Sequence, residues 1–176
     1  MFILLNGSFG IGKTTAANKL AEVLPRASIS DPEDVGFVLR RLPAWMLGLH
    51  RQPADYQDIA LWRRLIVLQA RWAHRRVDVV IVPMAFTNRD YLEAFADALR
   101  STAPVHKICL VAPLVLVRER LAARALAEGR PGLSDFELRR SAECVAAHAD
   151  PVFGMPIDAT ASADEVLAAI HRAIGR

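Results

Sequence analysis

Apolar residues follow two rhythms along the chain. Short unbroken apolar runs alternate with longer stretches in which apolar positions recur every three or four residues. This is the pattern of parallel strands covered on both faces and joined by helices. Phe2-Ile3-Leu4-Leu5 is the first run, leading through a glycine-rich turn into a helix expected from Gly12 to Leu24 and ended by Pro25. Ala27-Ser28-Ile29-Ser30, Val77 to Met84 and Val105 to Val111 read as the next three strands, with a weaker fifth near Met155 to Ile157. Helical periodicity covers much of residues 33–76, then Arg89 to Arg100, and then a stretch after Pro113. Ser134-Asp135-Phe136-Glu137 opens another helix with a capping-box pattern, and a last helix runs from about Ser162 to Ile174. Every crossover is helical, so the expectation is an α/β protein: one domain over residues 1–176, with a five-stranded parallel sheet flanked by helices.

Composition narrows the class. With 53% hydrophobic and 23% charged residues, the 176-residue chain is globular and too apolar to be disordered. Its net charge of +3 comes with arginines spread over several segments, which argues for no nucleic-acid partner and suits a protein handling anionic small ligands. The two cysteines, Cys109 and Cys144, form neither a CxxC pair nor a metal-ligand spacing, so a reduced, cytoplasmic setting is expected. The first strand begins at Phe2, leaving no room ahead of it for a secretion signal. The apolar stretch Ile108 to Val117 is broken by Pro113 and is far shorter than the ~20 residues of a membrane span. The apolar composition is compatible with peripheral membrane contact but does not demand it, and the sequence does not set an oligomeric state.

The chemistry is concentrated in Gly7-Ser8-Phe9-Gly10-Ile11-Gly12-Lys13-Thr14, a GxxxxGKT Walker A pattern placed between a strand and a helix. Such a P-loop aims successive backbone N–H groups at phosphate oxygens, and glycine is needed where a side chain would block the approach. Lys13 supplies positive charge for the β- and γ-phosphates, the Thr14 hydroxyl suits Mg2+, and Thr15 lies near the α-phosphate. ATP and Mg2+ are the implied ligands. A glycine-rich turn with an incidental lysine is the competing reading, and the complete spacing with the following threonine argues against it.

Beyond the loop, the order of parts resembles the P-loop kinases of small molecules, a group that includes nucleoside, nucleotide and shikimate kinases. More specifically it resembles the tunicamycin resistance protein family, on NGSFGIGKT at 6–14, DPEDVGFVLR at 31–40, LWR at 61–63 and IVPM at 81–84. The resemblance implies a three-layer P-loop NTPase fold of the nucleoside/nucleotide-kinase type, with acceptor-binding helices over about residues 33–76 and a small lid over about 113–135. It implies ATP-dependent protection against tunicamycin, a nucleoside antibiotic, by phosphorylating it or a related nucleoside-like molecule. Binding and sequestering the drug without transfer is the alternative. A regulatory NTPase comes third, weakened by the lack of a switch or Walker B aspartate.

In kinases of this group a carboxylate after the second strand orients or deprotonates the acceptor hydroxyl, and Asp31 holds that place, with Glu33 in reserve. Asp31 also reads simply as a helix N-cap before Pro32. The run Ile81-Val82-Pro83-Met84 carries no aspartate for the magnesium shell, so Asp31 joins Thr14 as a candidate metal ligand. Asp78, at the start of that run, is at the wrong end for this role. Arg120 and Arg124, four apart on one helix, are expected to stack on adenine and to reach phosphate oxygens respectively, although both also suit a solvated basic face. Arg118 and Arg130 have weaker claims. Phe37, Arg40, Trp62 and Arg63 mark the acceptor region, where Phe37 and Trp62 serve equally well as core. Asp158-Ala159-Thr160 follows the last strand, where the adenine edge meets the backbone in similar kinases, so Thr160 is a candidate nucleotide contact. His50, His74, His106, His148 and His171 form no cluster and read as structural or surface residues.

Overall fold

β1 (Phe2–Gly7) is buried at every position and lies at the centre of a five-stranded, all-parallel sheet of order β2-β3-β1-β4-β5. The structure is a computed structural model and describes residues 1–47, 50 and 55–175. The other strands are β2 (Ala27–Ile29), β3 (Val79–Met84), β4 (Val105–Val111) and β5 (Met155–Asp158). The helices are α1 (Lys13–Val23), α2 (Pro32–Arg40), α3 (Ala60–His74), α4 (Arg89–Arg100), α5 (Leu114–Ala127), α6 (Asp135–Ala147) and α7 (Ala163–Ala173). Single 3-10 turns occur at Ala44–Leu47, Tyr56–Asp58 and Pro151–Phe153. Residues 48, 49 and 51–54 of the expected acceptor region lie outside the described residues.

The period-two alternation within each strand builds two cores. Ile3, Leu5, Ile81, Ile108 and Leu110 face α1, α5 and α7, where Leu20, Leu121 and Ile170 are fully buried. Phe2, Leu4, Val80, Val82 and Cys109 face the opposite way, against Trp62 and Ile66 of α3 and Leu92, Phe95 and Leu99 of α4. Layers of helix, sheet and helix result, as the alternating runs anticipated. β3 starts two residues inside the apolar run, because Asp78 belongs to a turn: its N–H donates to the Arg26 carbonyl at 2.8 Å and its carboxylate pairs with Arg26 at 3.0 Å.

Local chemistry fixes the helix starts nearest the site. Asp31 caps α2 by accepting the Glu33 N–H at 2.8 Å. Ser134 and Glu137 form a complete capping box on α6, as do Ser162 and Glu165 on α7. β3 ends at Met84 without a carboxylate. There a buried amide, Asn6, is used instead: its Oδ1 accepts the Phe86 N–H at 3.0 Å and its Nδ2 donates to the Phe86 carbonyl at 3.3 Å.

Ile66 is 1% exposed in the α3 core. Ile66→Ala is expected to cost about 2–5 kcal/mol, read as a lower urea midpoint at unchanged m-value. A loss within the scatter of surface substitutions would show that α3 is not anchored as described.

Candidate nucleotide and acceptor sites

The P-loop is held open by glycine and closed over its own lysine. Gly12 occupies the N-cap of α1 at φ 103° with no side-chain cap, and no acidic residue stands in the first turn, so the helix presents uncapped N–H groups. Gly10, at φ +74°, sits against α5: a Cβ there would lie 2.6 Å from Cγ of Leu121. Lys13 Nζ turns back to donate to the carbonyls of Gly7 at 2.9 Å and Ser8 at 2.7 Å, and it lies 5.6 Å from the Phe9 ring centre. Burial lowers the Lys13 pKa to about 8, and Glu33 opposes that shift more strongly than Asp31 does. Thr14 and Thr15 are exposed on the first turn of α1.

Two of the cavities beside the loop hold the expected site residues. One, of about 310 Å³, is lined by Gly10, Ile11, Gly12, Thr15, Arg120, Ala159 and Ala161 among others. Arg120 reaches it from α5, donating to the Ile11 carbonyl at 3.1 Å. Thr160, expected at this edge, does not line it: the residue is exposed and its N–H is taken by Asp158 at 2.8 Å, which leaves the neighbouring alanines as the wall.

The other cavity, of about 190 Å³, lies between the P-loop, α2, α3 and α6. Phe9, Phe37, Trp62, Phe86 and Phe136 form its aromatic lining, and Glu33, Arg40, Asp55 and Arg140 bring charge to it. The Trp62 indole is buried, packs edge-on to Phe86 with ring centres 5.9 Å apart, and donates to the Pro32 carbonyl at 3.1 Å. Gln69, two turns further along α3, donates to the Asp31 carbonyl at 3.2 Å. Of the four expected acceptor residues, Phe37, Arg40 and Trp62 reach the cavity and Arg63 does not. Arg63 points towards α4, stacked 4.1 Å from the Tyr91 ring centre and bonded to the Gln57 carbonyl, because its position on α3 faces the adjoining helix.

The carboxylates are arranged differently from the expectation. Asp31 caps α2 through Oδ1, and Glu33, two residues on, is the side chain that lines the cavity. Burial raises the pKa of both; the charge of Asp31 raises Glu33 further, while Lys13, Arg124 and Arg40 oppose. Arg124 is engaged with two carboxylates, 3.7 Å from Glu128 just after α5 and 3.5 Å from Glu137 in the first turn of α6. Arg130 is held by the same two residues, at 2.9 Å from each. The Arg130 hydrogen bond, followed by those from Ser134, pulls the Glu137 pKa down to about 2.

Asp55, Phe136 and Arg140 were not anticipated. The Arg140 side chain is 11% exposed and bonds Asp55 at 2.8 Å and Glu143 at 2.9 Å, tying α6 to the segment before α3. Phe136 and Arg140 are four apart on α6, so one helical face carries both, a spacing readable in the sequence. Nothing in the sequence around Asp55 marks it.

The donor set fits a nucleotide with magnesium. The uncapped helix start and buried lysine suit phosphate. Among the described residues no three His, Cys, Asp or Glu side chains gather to hold a metal. Mg2+ takes one or two protein oxygens and completes its shell with phosphate and water; Thr14 and Asp31 are the candidates. No helix among the described residues is long and apolar enough to cross a membrane.

A family model for the AAA domain matches residues 2–145. The chain belongs to this family. No curated protein sequence matches this AAA-domain chain. Solved structures share its fold: the tunicamycin resistance protein of Deinococcus radiodurans superposes with TM-score 0.74 at 24% identity, covering 99% of this chain and 95% of that one. A gluconokinase from Sinorhizobium meliloti 1021 gives 0.68 at 19% identity, with 99% and 91% covered. A shikimate kinase from Acinetobacter baumannii, in complex with shikimate, gives 0.58 at 16%, with 99% and 93% covered. The AAA-domain chain thus has a P-loop kinase-like fold.

Arg140→Ala leaves Asp55 without its ion-pair partner, and the expected loss is roughly 1.5–3 kcal/mol, as for hydrogen bonds to charged groups. Hydrogen exchange checks it: amides of residues 55–58 should exchange faster in the variant, and unchanged protection there would refute the tie.

Proposed function

We propose that the protein is an ATP- and Mg2+-dependent phosphotransferase acting on a hydroxyl of a small ring-bearing molecule, with tunicamycin or a related nucleoside-like compound as the leading substrate. The observation that carries this is the place of Phe9. The Lys13 ammonium lies 5.6 Å from its ring, and the same ring forms part of the wall of the aromatic cavity. The phosphate cradle and the acceptor cavity therefore share a wall, and a hydroxyl held in one reaches a phosphoryl group held in the other.

Size and lining narrow the acceptor. A volume of about 190 Å³ is below the roughly 300–1,000 Å³ of pockets that enclose drug-sized ligands. The cavity would hold one ring-sized moiety, with the rest of a larger molecule outside. Flat aromatic faces beside two guanidinium groups suit a nucleobase or an anionic sugar. The likeness in fold to a tunicamycin resistance protein supports the uridine end of that drug as the occupant.

In this reading Lys13 and the first amides of α1 neutralise the phosphates, Arg120 covers the base, and Arg124 adds positive charge beside Glu33. Thr14 and Asp31 offer oxygens to Mg2+. The proton leaves the acceptor hydroxyl for the carboxylate pair at the start of α2. Glu33 is the better placed of the two, because it lines the cavity and burial raises its pKa towards that of a useful base. The buried free thiols Cys109 and Cys144 suit a reducing, cytoplasmic setting.

Mass spectrometry of tunicamycin incubated with protein, ATP and Mg2+ is the test. One added phosphoryl group, lost with Lys13→Ala, is the expected result; unmodified drug held only in the presence of nucleotide would establish sequestration instead. Glu33→Gln should slow transfer by about 10²–10⁴-fold and by more than Asp31→Asn does. The reverse order would return the role of base to Asp31. Nucleotide binds the ammonium form of Lys13, whose pKa is about 8 before binding. Affinity should therefore hold below pH 8 and weaken as pH rises above it, with proton uptake on binding there. Calorimetry in buffers of different ionisation enthalpy checks this, and affinity flat to pH 9.5 would refute it.

A further inference from the structure

His148, the C-cap residue of α6, is 4% exposed, and its Nε2 lies 2.8 Å from the carbonyl oxygen of Phe86. A carbonyl can only accept, so Nε2 carries the proton. Burial, the leading cause, brings the His148 pKa down to about 4, aided by the charges of Lys13 and Arg140 and opposed by the bond to Phe86. The ring is neutral at physiological pH, and Nδ1 is left as a bare acceptor. That Nδ1 is buried and has no hydrogen-bond partner.

A second buried polar atom is in the same condition. Ser8, the second residue of the P-loop, is 1% exposed, and its Oγ has no partner. Its backbone carbonyl is the one that receives Lys13 Nζ at 2.7 Å. Ser8 and His148 line one cavity of about 300 Å³, bounded also by Leu110, Val111, Pro113 and Val145. The remaining charged group on this cavity is Asp158, already engaged with the Thr160 N–H. A hydroxyl without an acceptor and an imidazole nitrogen without a donor thus belong to two residues that border one space beside the phosphate loop. Leaving either unpaired costs about 1–3 kcal/mol, and one water with two to four polar neighbours satisfies both.

We propose that His148 is a positioning residue that holds the Phe86 peptide at the acceptor-cavity wall through Nε2–H, while a bridging water ties its Nδ1 to the Ser8 hydroxyl of the P-loop. The Phe86 peptide is then pinned from two directions. Asn6, the residue before the P-loop, bonds both its N–H and its carbonyl, and His148 fills the second lone pair of that carbonyl from α6. The Phe86 ring packs on Trp62 and lines the acceptor cavity. The phosphate loop, the acceptor wall and α6 are thereby coupled through one imidazole, whose tautomer the arrangement fixes.

The structural half of this is independent of the proposed phosphotransfer and is tested without it. In 15N-histidine-labelled protein, the His148 signals, assigned by their loss in His148→Gln, should show the Nε2–H tautomer and no titration between pH 5 and 8. Ser8→Ala should move the Nδ1 resonance by removing the far end of the bridge. An Nδ1–H tautomer, or an Nδ1 signal indifferent to Ser8→Ala, overturns the proposal. The functional half rests on the acceptor reading of the cavity. His148→Leu should raise the acceptor KM about three- to tenfold, the worth of one hydrogen bond, with nucleotide KM little changed. His148→Gln, whose amide can still donate to Phe86, should recover most of the loss; equal defects in Leu and Gln variants would reduce His148 to packing. If no acceptor is phosphorylated at all, the phosphotransferase reading fails, and the resonances still decide the role of His148.

Discussion

A lysine ammonium withdrawn from water onto two carbonyls of its own loop sets the terms for the whole site. Burial disfavours the charge of Lys13, and the carbonyls of Gly7 and Ser8 return only part of the lost hydration. The loop tolerates this because everything beneath it is rigid: β1 is buried along its full length, and α1 begins at once without a side-chain cap. The balance is unfinished by design of the local sequence. An anion arriving at the uncapped amides would meet that ammonium within the loop, where it compensates part of the lost hydration.

The acceptor side is governed by the same economy of backbone groups. Trp62 and Gln69, two turns apart on α3, bond the consecutive carbonyls of Pro32 and Asp31. Asp31 in turn bonds the Glu33 amide. The start of α2 is thus fixed by three side-chain contacts, and Glu33 projects from a turn with little freedom left. Arg140 does the corresponding work from the other side by joining α6 to Asp55.

Most of the fold was legible because its signals are local. Buried strands read as apolar runs, helix starts carry Asp31, Ser134 and Ser162, and the GxxxxGKT spacing can be recognised without knowing its neighbours. The sites were legible only where one segment holds the chemistry. Arg63 looked like an acceptor residue because it follows Trp62, yet adjacent residues on a helix point about 100° apart, and Arg63 meets Tyr91 instead. Asp55 and Arg140 are far apart in sequence and gain meaning only when α6 docks on the segment before α3. Asn6 and His148 escaped for a similar reason: each is an ordinary residue until the Phe86 peptide between them is seen.

The contact between Gly10 and Leu121 has a mechanical consequence. The space a β-carbon would fill at Gly10 is occupied by a side chain of α5, and Arg120, the preceding residue, is bonded to the Ile11 carbonyl. α5 is therefore a fixed post: it cannot tilt without lifting the phosphate loop off its seat. The edge of the loop that Gly10, Ile11 and Arg120 share is thus held by contacts within the chain itself.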